Sequence, residues 1–255
     1  MYLSPERFAL ANQAVSETFA QCSIVWQSIP HWDTGDPGQI RVPDGKYNFP
    51  GFIALTMKQK KFLVSLAQAN GPTPDALLTE VMAVAKVLAR KFDNAILPQL
   101  YYNAHWLLKT DDTAPNLLNQ LIKARAHVEN GGYRAPSCLI TNTEGLTHLS
   151  QFYGGDSILD SLLTAGHINA LHRTSKLAGN GKHTRIVVLG RRRRIPQGAA
   201  PEASPGEEPV DVAISVAPSL EIDGETYLGK IQLTARIRYA LRITDDRGLV
   251  RIREP

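Results

Sequence analysis

The chain has 255 residues, of which 43% are hydrophobic and 20% are charged. A chain of this length can bury roughly 70% or more of its unfolded surface, which allows one large domain or two small ones. Its 19 glycines and 16 prolines exclude collagen-like and proline-driven disordered classes. The two cysteines, Cys22 and Cys138, are too few for a disulfide scaffold or a thiolate zinc site, so we expect a reducing compartment.

The net charge of +4 is unevenly distributed. Residues 1–172 carry 13 basic and 14 acidic side chains, whereas residues 173–255 carry 15 and 10. A basic C-terminal part is compatible with a polyanion nearby but does not identify one. No stretch approaches the roughly 18 consecutive apolar residues of a membrane span, and the charged N-terminus is unlike a signal peptide. We therefore expect no membrane partner.

The N-terminal part predicts a helix followed by an extended arm. Ser4 and Pro5 are typical of a helix start, and the helix is predicted to reach about Phe19. Residues 23–53 break into short pieces separated by proline and glycine turn signals. So long a loop is uncommon in a compact domain, while its aromatic and β-branched residues disfavour disorder. This segment is predicted to pack on a neighbouring subunit.

The clearest helix is predicted for residues 75–97, after a short strand at 62–66. Thr73 or Asp75 is the predicted cap, and Pro98 the predicted stop. At 1.5 Å per residue this helix is roughly 35 Å long, which suits a structural spine. Its apolar positions repeat at intervals of four and three residues: Leu77, Val81, Val84, Leu88, Phe92 and Ile96.

The middle of the chain alternates between predicted helices and buried strands. Helices are expected at 115–129, 144–152 and 157–163, and strands at 138–140 and 186–189. This alternation is typical of an α/β subdomain.

The C-terminal part is predicted to be all β after a flexible linker at 198–209. Residues 210–216 and 231–243 alternate between apolar and polar side chains, with a turn region at 223–229. A period of two over this length predicts antiparallel strands with one buried face. The other face of 231–243 carries arginines and is predicted to be basic.

No residue pattern predicts catalysis or metal binding. The seven histidines lack the i, i+4 spacing of a helical zinc site, and no Gly-x-Ser-x-Gly elbow occurs. Residues 179–182, Gly-Asn-Gly-Lys, lack the context of a phosphate loop and are read as a hairpin turn. Cys138 lies in an apolar strand, where cysteine behaves as a small hydrophobe. The sequence therefore predicts no catalytic residue, no cofactor-binding residue and no metal ligand.

The strongest local charge signal is the run of four arginines at 191–194. Such a run can neutralise phosphates in a salt-dependent way. It contains no aromatic residues for base stacking, and the linker that follows is acidic. A solvated turn is therefore favoured over a nucleic-acid site.

The order of these elements resembles the major capsid fold of tailed bacteriophages, in particular its encapsulin (linocin-like) branch. The segments that carry the resemblance are TPDALL at 73–78, LARKFDNAI at 88–96, NGGYRAPSCLI at 130–140, GGDSILDSLL at 154–163, VDVAISV at 210–216 and IRYALRITDD at 237–246.

The resemblance implies an α+β fold with five parts. These are an N-terminal helix and arm at 1–31, an extended loop at 32–61, a peripheral domain with the spine helix at 62–112, an axial domain with linker at 113–209, and closing strands of the peripheral domain at 210–255.

The function implied by the resemblance is structural. The chain would self-assemble as pentamers and hexamers into an icosahedral shell around phage double-stranded DNA, in a virion assembled in the host cytoplasm. Portal, scaffold and cement proteins are the implied partners, and no enzyme activity or cofactor is implied. The alternatives are a cytoplasmic encapsulin around an enzyme cargo, and a basic nucleic-acid-binding protein using 191–194. The insertion at 191–208 and the basic segment at 235–239 depart from encapsulins, which favours the phage capsid.

Overall fold

The computed structural model describes residues 3–46, 49–177, 183–193, 207–226 and 228–255. Within these ranges no helix combines the length and apolar character needed to cross a membrane. The elements, in chain order, are α1 Pro5–Cys22, α2 Ile24–Ser28, β1 His31–Asp33, β2 Arg41–Pro43, β3 Phe52–Ala54, β4 Thr56–Ser65, α3 Leu66–Asn70, α4 Asp75–Tyr102, β5 Trp106–Lys109, α5 Ala114–Asn130, β6 Tyr133–Thr141, α6 Thr143–Leu149, β7 Phe152–Tyr153, β8 Asp156–Ser157, α7 Leu159–Ala165, β9 Ile168–Arg173, β10 Arg185–Arg193, β11 Val210–Glu225, β12 Lys230–Ile243, a 3₁₀ turn Asp246–Gly248, and β13 Leu249–Arg253.

A four-stranded sheet in the order β1-β11-β12-β4 packs against the spine helix α4. Its long antiparallel strands β11 and β12 carry the alternation predicted from the sequence, and Ile231, Leu233, Ala235 and Ile237 are fully buried. Helix α1 packs on α4 through Ala11, Val15 and Phe19. One apolar core therefore joins the sheet, the spine and the N-terminal helix.

A mixed five-stranded sheet has the order β5-β13-β10-β6-β9. Its two faces enter different cores, because successive side chains of a strand point to opposite sides. Ile140 and Val187 join the core of the spine helix, whereas Leu139 and Val188 join a second core with α5. The sheet therefore lies between the spine and α5.

The spine helix agrees with its predicted apolar face but not with its predicted ends. All six apolar positions named above are buried. The helix begins after Pro74 without a side-chain cap, so the capping roles of Thr73 and Asp75 were wrong. It also continues through Pro98 to Tyr102. Proline removes one backbone hydrogen bond, but burial of Leu100 beyond it favours continuing the helix.

Ser4 caps α1 as predicted, since its hydroxyl accepts a hydrogen bond of 3.3 Å from the Arg7 amide. Other boundaries differ from the prediction. The helix expected at 144–152 ends at Leu149, and residues 152–157 form the β7–β8 hairpin instead. Gly154 and Gly155 supply its turn with φ of 65° and 97°, which glycine adopts without strain.

Two of the predicted segments contribute strands to both sheets. Residues 62–112 and 210–255 supply β5 and β13, which pair with each other in the five-stranded sheet, as well as strands of the four-stranded sheet. Arg191 to Arg193 continue strand β10 by pairing with β6 and do not form the predicted solvated turn. Arg194, the linker as far as Gly206 and the turn at 179–182 lie outside the described residues.

Candidate assembly surfaces

The arm, defined here as residues 32–55, is fixed at its base by a buried ion pair. Arg242 on β12 donates two hydrogen bonds of 2.7 and 2.6 Å to the carboxylate of Asp211 on β11. Both side chains are at most 5% exposed. The indole Nε1 of Trp32 also donates to Asp211, at 3.1 Å, and the Arg242 guanidinium lies 4.8 Å from the Trp32 ring centre. A buried charge pair near one end of β11 and β12 therefore holds the first residue of the arm.

The face of β12 that carries arginines also binds residues 37–43 of the arm. Arg242 donates to the carbonyl oxygen of Pro43 at 3.1 Å, and Arg238 donates to that of Pro37 at 3.0 Å. Val42 is fully buried against Ala213 and Ala240. The face predicted to be a basic outer surface is thus partly covered by the arm of the same subunit. The sequence could not reveal this, because the contacts join positions about 200 residues apart.

The tip of the arm exposes apolar side chains. Strands β2 and β3 pair as a short antiparallel ladder, and the Asp44 carboxylate accepts amide hydrogen bonds from Gly51 and Lys46. These two hydrogen bonds lower the pKa of Asp44. Three large apolar side chains of the arm then face solvent: Ile40 at 67%, Phe49 at 86% and Phe52 at 74% exposure. Apolar exposure concentrated in one segment is typical of an interaction surface.

A second exposed apolar site lies at the β7–β8 hairpin. Phe152 is 72% exposed and Tyr153 64%. Beside them is an apolar cavity of about 300 Å³ between α5 and α7, whose lining includes Leu118, Tyr153 and Leu162. This hairpin was missed by sequence reasoning, although its Gly-Gly pair is a usable turn signal.

The junction of α1 and α2 is fixed to the spine by Asp93. Its carboxylate accepts hydrogen bonds from the Ser23 hydroxyl at 2.6 Å and from the amides of Ile24 and Val25 at 3.0 and 3.2 Å. Asp93 is only 5% exposed, and burial raises its pKa despite these hydrogen bonds. The carboxylate acts as a second cap for α2, which begins where α1 ends.

Within the described ranges, the cysteine and histidine side chains do not form a recognisable reaction centre. Burial raises the pKa of the Cys138 thiol to about 11, which keeps it protonated. His148 lies 3.2 Å from Asp112, and His183 lies 2.9 Å from Glu254. Among the described residues no group of three His, Cys, Asp or Glu side chains could hold a metal ion. That the chain has no catalytic, cofactor or metal residues stays a prediction.

The chain is similar to solved structures of capsids and other protein shells. The virus-like particle from Pyrococcus furiosus is 15% identical, with a TM-score of 0.68 over 97% of this chain and 99% of that chain. An encapsulin complex from Synechococcus elongatus is 12% identical, with a TM-score of 0.58 over 91% and 87%. The capsid of the Myoviridae phage XM1 is 13% identical, with a TM-score of 0.55 over 81% and 76%. No family model and no curated protein matches the chain.

These similarities confirm the fold implied by the sequence. The chain has the α+β major capsid fold that tailed phages and encapsulins share.

Proposed function

We propose that this chain is a major capsid protein that assembles into a closed icosahedral shell around phage double-stranded DNA. One observation above all supports the proposal: Ile40, Phe49 and Phe52 are exposed on an arm whose base is fixed to its own subunit. Burying such side chains on a second subunit gains roughly 25 cal/mol for each Å² of apolar surface removed from water. An arm held in this way reaches a neighbour without losing its own position.

The two exposed apolar sites support contacts of different kinds. The arm would lie on an adjacent subunit, and the β7–β8 hairpin would meet its counterparts around a pentamer or hexamer axis. We assign the four-stranded sheet with α1 and α4 to the peripheral domain, and the five-stranded sheet with α5 to the axial domain. Repetition of one heterologous contact around an axis closes a ring, as a shell requires.

An encapsulin is the second candidate. The similarity to the Synechococcus elongatus encapsulin complex over 91% of this chain supports it. In that case the shell would enclose an enzyme cargo in the cytoplasm. The third alternative, a basic nucleic-acid-binding protein acting through residues 191–194, has less support because Arg191 to Arg193 are part of a paired strand.

Electron microscopy of particles purified from the native host tests the proposal. We expect closed shells of uniform size that protect genomic DNA from added nuclease. A monomer or dimer in every preparation would contradict both shell candidates. Shells that lack protected DNA but contain a copurifying enzyme would favour the encapsulin.

Deleting residues 35–50 tests the role of the arm. The deletion should leave a soluble subunit that fails to form stable shells, and intact shells would refute the assignment. Since Val42 is buried within the subunit, the deletion also removes internal contacts. Circular dichroism and thermal unfolding of the deleted subunit are therefore needed beside microscopy.

A further inference from the structure

Four cationic side chains meet on one face of the five-stranded sheet. The strand register places Lys109 on β5 beside Arg253 on β13, and Arg253 beside Arg185 on β10. Arg251 lies two residues before Arg253 and therefore shares its face. With neighbouring strands roughly 4.8 Å apart, the row of three spans about 10 Å. We call Lys109, Arg185, Arg251 and Arg253 the cation cluster.

The last turn of the spine helix supports two members of the cluster. The guanidinium carbons of Arg185 and Arg251 lie 5.5 and 5.8 Å from the ring centre of Tyr101, which is only 4% exposed. The Nε of Arg251 is buried and has no hydrogen-bond partner. Lys109, at one end of the row, and Arg253, in its middle, are exposed. The cluster is thus anchored over an aromatic ring on one side and open to solvent on the other.

Among the residues that the structure describes, the cluster has no carboxylate partner. Over the ranges that the structure describes, none of the four side chains lies within 4.0 Å of a carboxylate, although ion pairs are formed by Arg242 and Arg236. Glu254, the chain neighbour of Arg253, is paired with His183. Like charges directly opposite each other on adjacent strands are destabilising. An anion that binds across the row would reduce this repulsion between like charges.

We propose that the cation cluster binds the phosphate backbone of double-stranded DNA inside the shell, an inference that rests on the proposed function. Arginine and lysine side chains dominate contacts to phosphate oxygens, and guanidinium groups bind phosphate through two parallel hydrogen bonds. Contacts to phosphate oxygens carry no information about the bases, so this contact is independent of DNA sequence. The arginines of β12 are already engaged within the subunit, since Arg238 and Arg242 bind the arm and Arg236 pairs with Glu221.

The test compares two full-length variants with the same net charge. K109Q/R253Q removes the two exposed members of the cluster, whereas K86Q/R90Q removes two exposed cations of α4 outside it. Binding of a fluorescent 30-bp duplex to unassembled subunits is measured by anisotropy over a range of salt concentrations. We expect about 10-fold weaker binding at low salt for K109Q/R253Q, and a log-log salt slope smaller by about two. The control variant should stay close to wild type.

Each other outcome contradicts the inference. Equal losses in both variants would mean that only net charge matters, and no loss in K109Q/R253Q would exclude the cluster. Unchanged DNA binding together with failed shell assembly would make the cluster a contact with an acidic segment of another subunit. K109R/R253K, which keeps both charges, should restore binding. Failure of the wild-type chain to form shells would instead contradict the proposed function, and microscopy detects it independently of DNA binding.

Discussion

The spine helix and the arm are held in the subunit by different kinds of contact. Phe92, near the middle of the spine, is fully buried, with ring centres 5.4 Å from Phe19 and 4.6 Å from Tyr239. The arm is fixed at its base by Trp32, which donates to Asp211 of the buried Arg242–Asp211 pair, and further along by Pro43, whose carbonyl oxygen accepts from Arg242. Apolar burial determines the spine's position, whereas the arm is held by polar contacts together with the buried side chain of Val42, and the apolar side chains at its tip stay exposed.

This difference predicts that the largest loss of subunit stability comes from the spine. Phe92→Ala removes a fully buried aromatic ring from the core between α1, α4 and β12. We expect the free energy of unfolding to fall by about 3–5 kcal/mol, measured by urea denaturation of unassembled subunits. Met82→Ala is the matched control on the same helix, since Met82 is 41% exposed. A similar loss in both variants would show that the spine is not held by burial.

The next largest loss of subunit stability is expected at the base of the arm. Arg242→Met leaves the Asp211 carboxylate buried without its guanidinium partner, and removing one member of a buried pair costs about 3 kcal/mol or more. The control is Arg236→Met, which breaks a pair with Glu221 whose members are 34% and 44% exposed. An exposed pair contributes less than about 1 kcal/mol. Urea denaturation gives both values, and limited proteolysis should cut the arm faster only in the Arg242 variant.

The same contrast explains what could be predicted from the sequence. The spine was predictable because its apolar stripe repeats within one continuous segment, and so was the alternation of β12. Arg242 and Asp211 could not be paired in advance, because each occupies a polar position of an alternating pattern and only the register of β11 and β12 joins them. The same holds for Asp93, whose partners at Ser23 and Ile24 lie about 70 residues away.

The placement of β13 shows why the sequence did not predict which sheet each strand joins. Its residues alternate like those of β12, so the local pattern does not distinguish the two sheets. The sheet that β13 joins is decided by its neighbours β10 and β5, whose residues are distant in sequence. The row formed by Lys109, Arg253 and Arg185 becomes visible only after this register is known.

A smaller effect is expected at Asp93, which links α2 to the spine. Asp93→Asn should cost about 1 kcal/mol at pH 7, because an amide nitrogen replaces one of the two accepting oxygens. Burial raises the pKa of Asp93 in the folded subunit above the unfolded value of 3.8. The folded state therefore binds the proton first, and the wild type gains stability relative to the variant as pH falls from neutral toward the unfolded pKa.

Urea denaturation of both proteins at several pH values between about 7 and 4 checks this sign, because the unfolded carboxyl titrates near the lower limit. The difference in unfolding free energy between the two proteins removes the contribution of the other carboxyl groups, which both proteins share. A deficit of the variant that shrinks as the pH falls would contradict the direction of the pKa shift and would identify Asp93 as a charge stabilised by its hydrogen bonds.

The smallest effect on the subunit is expected at the tip of the arm, where the effect on assembly is expected to be largest. Phe49→Ser with Phe52→Ser changes side chains that are 86% and 74% exposed, so the free energy of unfolding should change by no more than about 0.5 kcal/mol. Val42→Ser, at a fully buried position of the same arm, should lower the free energy of unfolding by about 2 kcal/mol.

Electron microscopy should find few shells for the Phe49 and Phe52 double variant although its subunits are as stable as wild type. Normal shells from the double variant would mean that the exposed apolar side chains have no partner in the assembly. In that case the contrast between an anchored base and a tip that binds a neighbour would fail, because the arm would be only a surface loop of its own subunit.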